Sequence, residues 1–154
     1  MKGDDKHLVV TAIENGTVID HIPSTSLFAV ISILQLEKLN NQMTFGVNLE
    51  SKKLGSKAII KVAGKYFENS ELNKIALVAP QAKLNIIRNY QVVEKRVVEI
   101  PEDEISGIIK CPNPVCITNH EKITTKFHVL SRSDITLRCN YCEKVITRTQ
   151  IEIL

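Results

Sequence analysis

Apolar and polar residues follow two different patterns along the chain. From Leu8 to Ile13, and again from Thr17 to Ile22, β-branched and apolar residues run together, broken by the turn signal Asn15-Gly16 and stopped by Pro23. One strand region with a bend is expected there. Ser24, Thr25 or Ser26 offers a cap for a helix running to about Leu39 and ending at Asn40-Asn41. Met43 to Leu49 and Ala58 to Ala63 read as a hairpin joined by the Lys- and Gly-containing loop 50–57. Ser70 is the expected cap of a second helix through about Ala79, which Pro80 stops, and Ala82 to Val98 supplies a last, long extended region. The order strand, helix, strand, strand, helix, strand is the split-βαβ, ferredoxin-like arrangement, an antiparallel sheet with two helices on one face.

After residue 100 the pattern changes. The junction from Glu99 to Gly107 is acidic, contains Pro101, and has little to bury. It predicts an N-terminal domain over 1–100, a linker over 101–106 and a second domain over 107–154. Within the latter, Ile123 to Leu130, Ile135 to Arg138 and Lys144 to Ile153 alternate as in a small antiparallel sheet. The predicted class is therefore α+β, a ferredoxin-like domain followed by a small all-β domain resembling a zinc ribbon. In the first helix, Leu27, Phe28, Val30, Ile31, Ile33, Leu34, Leu36 and Leu39 cover more of the circumference than one sheet contact needs. Tight packing within the domain and a contact with another subunit both account for this.

The formal charge of +3, from 20 basic and 17 acidic side chains, makes a weak electrostatic case for nucleic acid. Met1 to Asp5 is polar and opens no secretory leader. The apolar run Leu27 to Leu36 is about half the roughly 20 residues a membrane span needs. A cytoplasmic protein without membrane contact is expected, and in a reducing compartment four cysteines point to metal or redox chemistry rather than disulfides.

Those cysteines carry the strongest chemical signal. Cys111-Pro-Asn-Pro-Val-Cys116 and Cys139-Asn-Tyr-Cys142 are two close-spaced pairs, and four soft thiolates in that pattern suit one tetrahedral Zn²⁺. A closed site of four sulfurs leaves no position for water, so the metal is structural, stabilising a domain too small to fold on its apolar surface alone. A redox CxxC and a pair of disulfides are the competing readings. The first normally opens a helix, whereas Cys139 closes a strand-like run; the second needs an oxidising compartment. His120 and His128 are available imidazoles, but four cysteines already complete the set.

A search for catalysis finds no nucleophile. Gly55-Ser56-Lys57 and Gly64-Lys65 lack the preceding glycine of a phosphate loop, and the common dinucleotide, hydrolase and metalloprotease motifs are absent. Asp20-His21 is the one adjacent acid and base of interest, and on a regular strand their side chains would face opposite ways. Lys57, Lys61, Lys95 and Arg96 are candidate phosphate ligands, although strand lysines are mostly solvated.

Gly16-Thr-Val-Ile-Asp-His-Ile-Pro23, Ala79-Pro-Gln-Ala82, Asn89-Tyr-Gln-Val-Val93, the first cysteine pair and Leu137-Arg-Cys-Asn-Tyr-Cys-Glu143 together resemble the aspartate carbamoyltransferase regulatory chain family, nearly end to end. The resemblance implies a non-catalytic subunit of pyrimidine biosynthesis. Its N-terminal domain would bind CTP or UTP as inhibitors and ATP as activator, and its zinc domain would dock on a catalytic chain. Such chains pair as homodimers and bridge catalytic trimers. Carried over by residue, the base and ribose pocket would use Val10, Ala12, Ile13, Val18, Asp20, Asn85, Tyr90 and Val92, with Lys61 and Lys95 at the phosphates and His21 beside them. His7 and Lys57 are secondary candidates near the phosphate end. This chain has Thr11 where the family often has an acid, and Glu94 where it often has glycine.

The competing reading, a zinc-ribbon nucleic-acid-binding protein with an RNA-recognition-like sheet, needs stacking aromatics on central strands. Thr44-Phe45-Gly46 and Lys65-Tyr66-Phe67 do not match that motif. A small zinc enzyme would need an open coordination position and a general base.

Overall fold

A computed structural model describes residues 12–100 and 103–154. The expected strand start at Leu8, the candidates His7 and Val10, Thr11 and Pro101 lie outside the described residues. Strands β1 (Gly16–Pro23), β2 (Met43–Ser51), β3 (Gly55–Ala63), β4 (Lys83–Arg88) and β5 (Gln91–Val97) form an antiparallel sheet in the order β2-β3-β1-β4-β5. The first four have the ferredoxin-like order, and β5 is added beyond β4. Helices α1 (Leu27–Ile33) and α2 (Asn69–Asn73) cover one face, where Ile19, Ile22, Leu27, Val30, Ala58, Ile60, Leu72, Ile75 and Leu84 make the core.

The alternation of β1 explains which face is which. Thr17 and Ile19 are fully buried toward the helices, while Val18 and Asp20 face the other way. A β-bulge lies between Ile19 and Ile22, with His21 at φ 60. The extra residue returns Ile22 to the core, where simple alternation would have turned it outward. The bulge also overturns the expectation that Asp20 and His21 diverge: His21 Nδ1 lies 3.6 Å from an Asp20 carboxylate oxygen, and the His21 backbone N–H donates to Asp20 at 2.6 Å.

Several boundaries differ from the pattern-based expectation for identifiable reasons. The long extended region from Ala82 to Val98 is a hairpin, because Asn89 and Tyr90, at φ 52 and 66, form a two-residue turn of the I′ kind. Asn15 anchors that turn through its side-chain oxygen, which accepts from the Asn89 N–H at 3.2 Å. The first α-helix stops at Ile33 because Gln35 adopts a left-handed conformation, φ 53, and the chain continues to Lys38 as a 3₁₀ turn. The second is capped by Glu68, not Ser70: Glu68 and Glu71 exchange side-chain and backbone hydrogen bonds, and the helix tightens into 3₁₀ over Lys74–Leu77. The β2–β3 loop is shorter than the expected 50–57, since pairing persists to Ser51 and Gly55.

The C-terminal part is all β. Strands β6 (Glu104–Ser106), β8 (Lys126–Ser131), β9 (Thr136–Cys139) and β10 (Val145–Ile146) form one sheet, and β7 (Ile109–Lys110) pairs with β11 (Glu152–Ile153). Residues 104–106, expected in the linker, pair with β8 because Ile105 is 2% exposed and belongs to the second core with Phe127, Leu137 and Ile146. Leu77, from the N-terminal part, is buried in that same core, and Val78 and Ile100 pack against both clusters. Part of the surplus apolar surface of α1 touches β11, while Phe28 stays 77% exposed.

Candidate functional site

Cys111 follows β7 and Cys116 precedes a 3₁₀ turn over Ile117–Asn119; Cys139 closes β9, and Cys142 follows it in a tight turn that Glu143 ends in a left-handed conformation, φ 63. These two loops bring all four sulfurs within 4.8 Å of one another. Cys111 to Cys142 is 3.6 Å and Cys116 to Cys139 is 3.8 Å. A tetrahedron of Zn–S bonds of about 2.3 Å has edges of about 3.8 Å, which these two separations match, so the donor set suits one Zn²⁺. Loop polar groups hold the frame: the Asn119 side-chain amide donates to the carbonyls of Cys111 at 2.9 Å and Asn113 at 2.8 Å.

The electrostatics also call for a cation. Burial is the main cause that pushes the Cys111 thiol up to about 12, and it raises Cys139 as well. Burial acts upward on Cys142 too, but hydrogen bonds from the Asn113 side chain and the Lys144 backbone outweigh it, bringing the thiol to about 7. The Cys142 thiolate is accessible near neutrality, whereas the raised Cys111 and Cys139 thiols need a metal ion beside them to ionise there. Cys139 ends a strand rather than opening a helix, which disfavours the redox reading. His120 bonds the Pro114 carbonyl at 2.8 Å and His128 is exposed on β8, so neither joins the sulfurs.

On the face of the first sheet away from the helices, register sets a row of side chains. Val18 is paired with Lys61 on β3 and with Asn85 on β4, and Asn85 is paired with Lys95 on β5. Directly paired residues share a face, so these four form a transverse line over four strands. Lys61 is 9% exposed, and burial lowers its proton affinity against the opposing pull of Asp20. Lys57 makes an ion pair of 2.9 Å with Asp20. A cleft of about 510 Å³ is lined by Asp20, His21, Lys83, Asn85, Lys95, Arg96 and Val97.

The remaining candidates lie apart. Ala12, Ile13 and Tyr90 line a second cleft of about 440 Å³ with Gly64 and Thr44. Val92 is exposed on β5 and lines neither cleft. Arg96 donates to Glu94 at 2.6 Å and 3.0 Å, which compensates the carboxylate next to Lys95 and keeps it out of the cleft lining. Pattern reasoning missed Lys83, although it sits two residues before Asn85 on the same face of the same strand, a period-2 signal that could have found it. It also missed Lys53, which carries no local signal.

Burial lowers the His21 imidazole below its ordinary 6.5, with Lys57 and Lys83 reinforcing and Asp20 opposing. The unfolded chain therefore takes up this proton first, so the stability tied to neutral His21 is complete above 6.5 and is lost as pH falls toward the folded value. Urea midpoints should decline between about pH 7.5 and about pH 5.5, and less steeply in His21→Gln. Equal slopes in the two proteins would exclude this contribution.

Comparison with known proteins places these features together. Residues 8–99 match the family model described as the aspartate carbamoyltransferase regulatory chain, allosteric domain, and residues 103–152 match that for its metal-binding domain. An aspartate carbamoyltransferase regulatory chain of Bacteroides fragilis is 52% identical over 154 residues, all of both chains. One from Porphyromonas gingivalis is 53% identical, covering 97% of this chain and 98% of that one. Another, from Pyrococcus horikoshii, is 55% identical over 94% and 95%.

Proposed function

The chain belongs to the family of aspartate carbamoyltransferase regulatory chains, non-catalytic subunits with a metal-binding domain, and from that premise we propose that it reads nucleotide effectors on its open sheet face and passes the signal to a catalytic chain. CTP and UTP act as inhibitors and ATP as activator. The phosphates lie at Lys61 and Lys95, with Lys57 and His21 at the same end, while Val18, Asp20 and Asn85 border the ribose and Ala12, Ile13 and Tyr90 the base. Val10, Val92 and His7 complete the set assigned by family resemblance. The observation that carries this reading is the Lys61-Val18-Asn85-Lys95 row, which presents two ammonium groups across a sheet face that no helix of the described residues covers.

Residues 1–100 form the effector domain and 103–154 the zinc domain that docks on the catalytic chain. Regulatory chains pair as homodimers in a cytoplasmic assembly, and neither nucleic acid nor membrane is a partner. No helix among the described residues is long and apolar enough to cross a membrane. Signal transfer is linkage: an effector shifts the partner only by binding two assembly states with different free energies. Leu77, Val78 and Ile100 give a physical route, because a movement of the sheet and α2 displaces side chains that are part of the zinc domain's core.

Calorimetric titration of the zinc-loaded chain with CTP, UTP and ATP, alone and with catalytic trimers, tests the reading. Binding in the micromolar range, about −8 kcal/mol, and a stable mixed assembly are expected. Lys61→Met should weaken all three nucleotides at least about tenfold. Absence of nucleotide binding by the wild-type chain would overturn the proposal.

A further inference from the structure

Lys53 and Lys83 extend the cationic surface past the residues assigned above. Lys53 stands in the β2–β3 turn and Lys83 begins β4, paired with Asp20 on the open face. Together with His21, Leu54, Pro80, Gln81, Ala82 and Val97 they line a compartment of about 270 Å³. This compartment shares His21, Lys83 and Val97 with the larger effector cleft, so the two are continuous.

The charges there are unbalanced. Asp20 is engaged by Lys57 at 2.9 Å and Glu94 by Arg96 at 2.6 Å. Among the described residues, none of Lys53, Lys83 and Lys95 has an ion pair. Lys83 instead lines the same compartment as Lys53, whose neighbouring charge lowers its proton affinity; Lys95 lowers it further and Asp20 opposes. Two ammonium groups on the wall of one compartment, beside Leu54, Pro80 and Ala82, have no ion-pair partner among the described residues, and a phosphate between them would accept a charge-assisted hydrogen bond from each.

We propose that Lys53 and Lys83 are specificity-determining residues that grip the distal end of a polyphosphate chain, so that the site discriminates effectors by the number of their phosphates. This rests on the nucleotide reading above. The phosphates nearer the nucleoside face Lys61 and Lys95, and the terminal one reaches the smaller compartment. A monophosphate cannot reach it and gains nothing from these two lysines.

Titration of the full-length, zinc-loaded chain with CTP, CDP and CMP tests the proposal. In the Lys53→Gln/Lys83→Gln double variant, CTP affinity should fall about tenfold or more while CMP changes by less than about twofold. Lys52→Gln removes a neighbouring charge that lines neither compartment and should leave the CTP to CMP ratio within about twofold of wild type. Inorganic tripolyphosphate should displace CTP from the wild-type chain and do so poorly in the double variant. An unchanged CTP affinity, an equal loss for CTP and CMP, or a ratio shifted as much by Lys52→Gln would overturn the inference while leaving the nucleotide reading intact. A wild-type chain that binds none of the three nucleotides would overturn both.

Discussion

Removing the metal, by chelation or by Cys139→Ser, should unfold residues 103–154 while most of the first sheet persists. The second core contains Cys111, Cys116 and Cys139 among its buried residues, with Phe127, Leu137 and Ile146 as its main apolar anchors. A unit of about fifty residues buries too little apolar surface to offset its chain entropy. Structural zinc contributes on the order of 10–16 kcal/mol of apparent binding free energy, which is folding free energy here. Without it, the substituted site leaves three sulfurs crowded together with no cation among them, of which burial holds the Cys111 thiol protonated. Amide NMR should show residues 103–154 collapsing to the unfolded range, and nucleotide titration should change by less than about fivefold. Assembly with catalytic chains should be lost. Should Cys139→Ser retain native amide dispersion in 103–154 and assemble normally, the metal is not what holds this domain together.

Gly16→Ala should cost the N-terminal domain more than about 3 kcal/mol, a drop of about 10 °C or more in melting temperature. Gly16 opens the central strand at φ 140, a conformation open in practice only to glycine. A Cβ there would lie 2.1 Å from the Val62 carbonyl oxygen and 3.0 Å from the Gly64 nitrogen, both backbone atoms of the paired β3 end. Neither can give way without breaking the β1–β3 ladder. Gly55 supplies the control: at φ 78, with nothing within 4 Å of its would-be Cβ, it should cost only about 1 kcal/mol on replacement by alanine. Guanidinium unfolding of both variants, followed by circular dichroism, measures the contrast. Equal losses would mean that the close approach to Val62 does not govern the site.

The strong local signals led to correct elements where packing agreed with them. The strand character of 17–22, 58–63 and 126–130 survives in the structure, because each is a short segment that contributes buried apolar side chains to a core. Errors arose where a single backbone conformation decided the outcome. Gln35 in a left-handed conformation shortens α1, and Asn89-Tyr90 folds a long run into a hairpin, although tyrosine is not a residue that announces such a turn. Glu68 displaced Ser70 as the cap because a carboxylate three residues before Glu71 can complete a reciprocal pair.

By itself the sequence determined the metal chemistry and the division into two kinds of chain, since two close-spaced cysteine pairs dictate their donor set through loops of only a few residues and a change in apolar period needs no knowledge of partners. Only the tertiary structure decided which side chains meet. Register across β3, β1, β4 and β5 aligned Lys61, Val18, Asn85 and Lys95. One bulge brought His21 against Asp20, and the β2–β3 turn carried Lys53 into the compartment that Lys83 lines. Leu77 likewise reached the core of the other domain. The physical reason is common to all of them: periodicity along a strand fixes which face a residue occupies, whereas its neighbours across the sheet depend on pairing offsets and bulges that the cooperative burial of both cores selects.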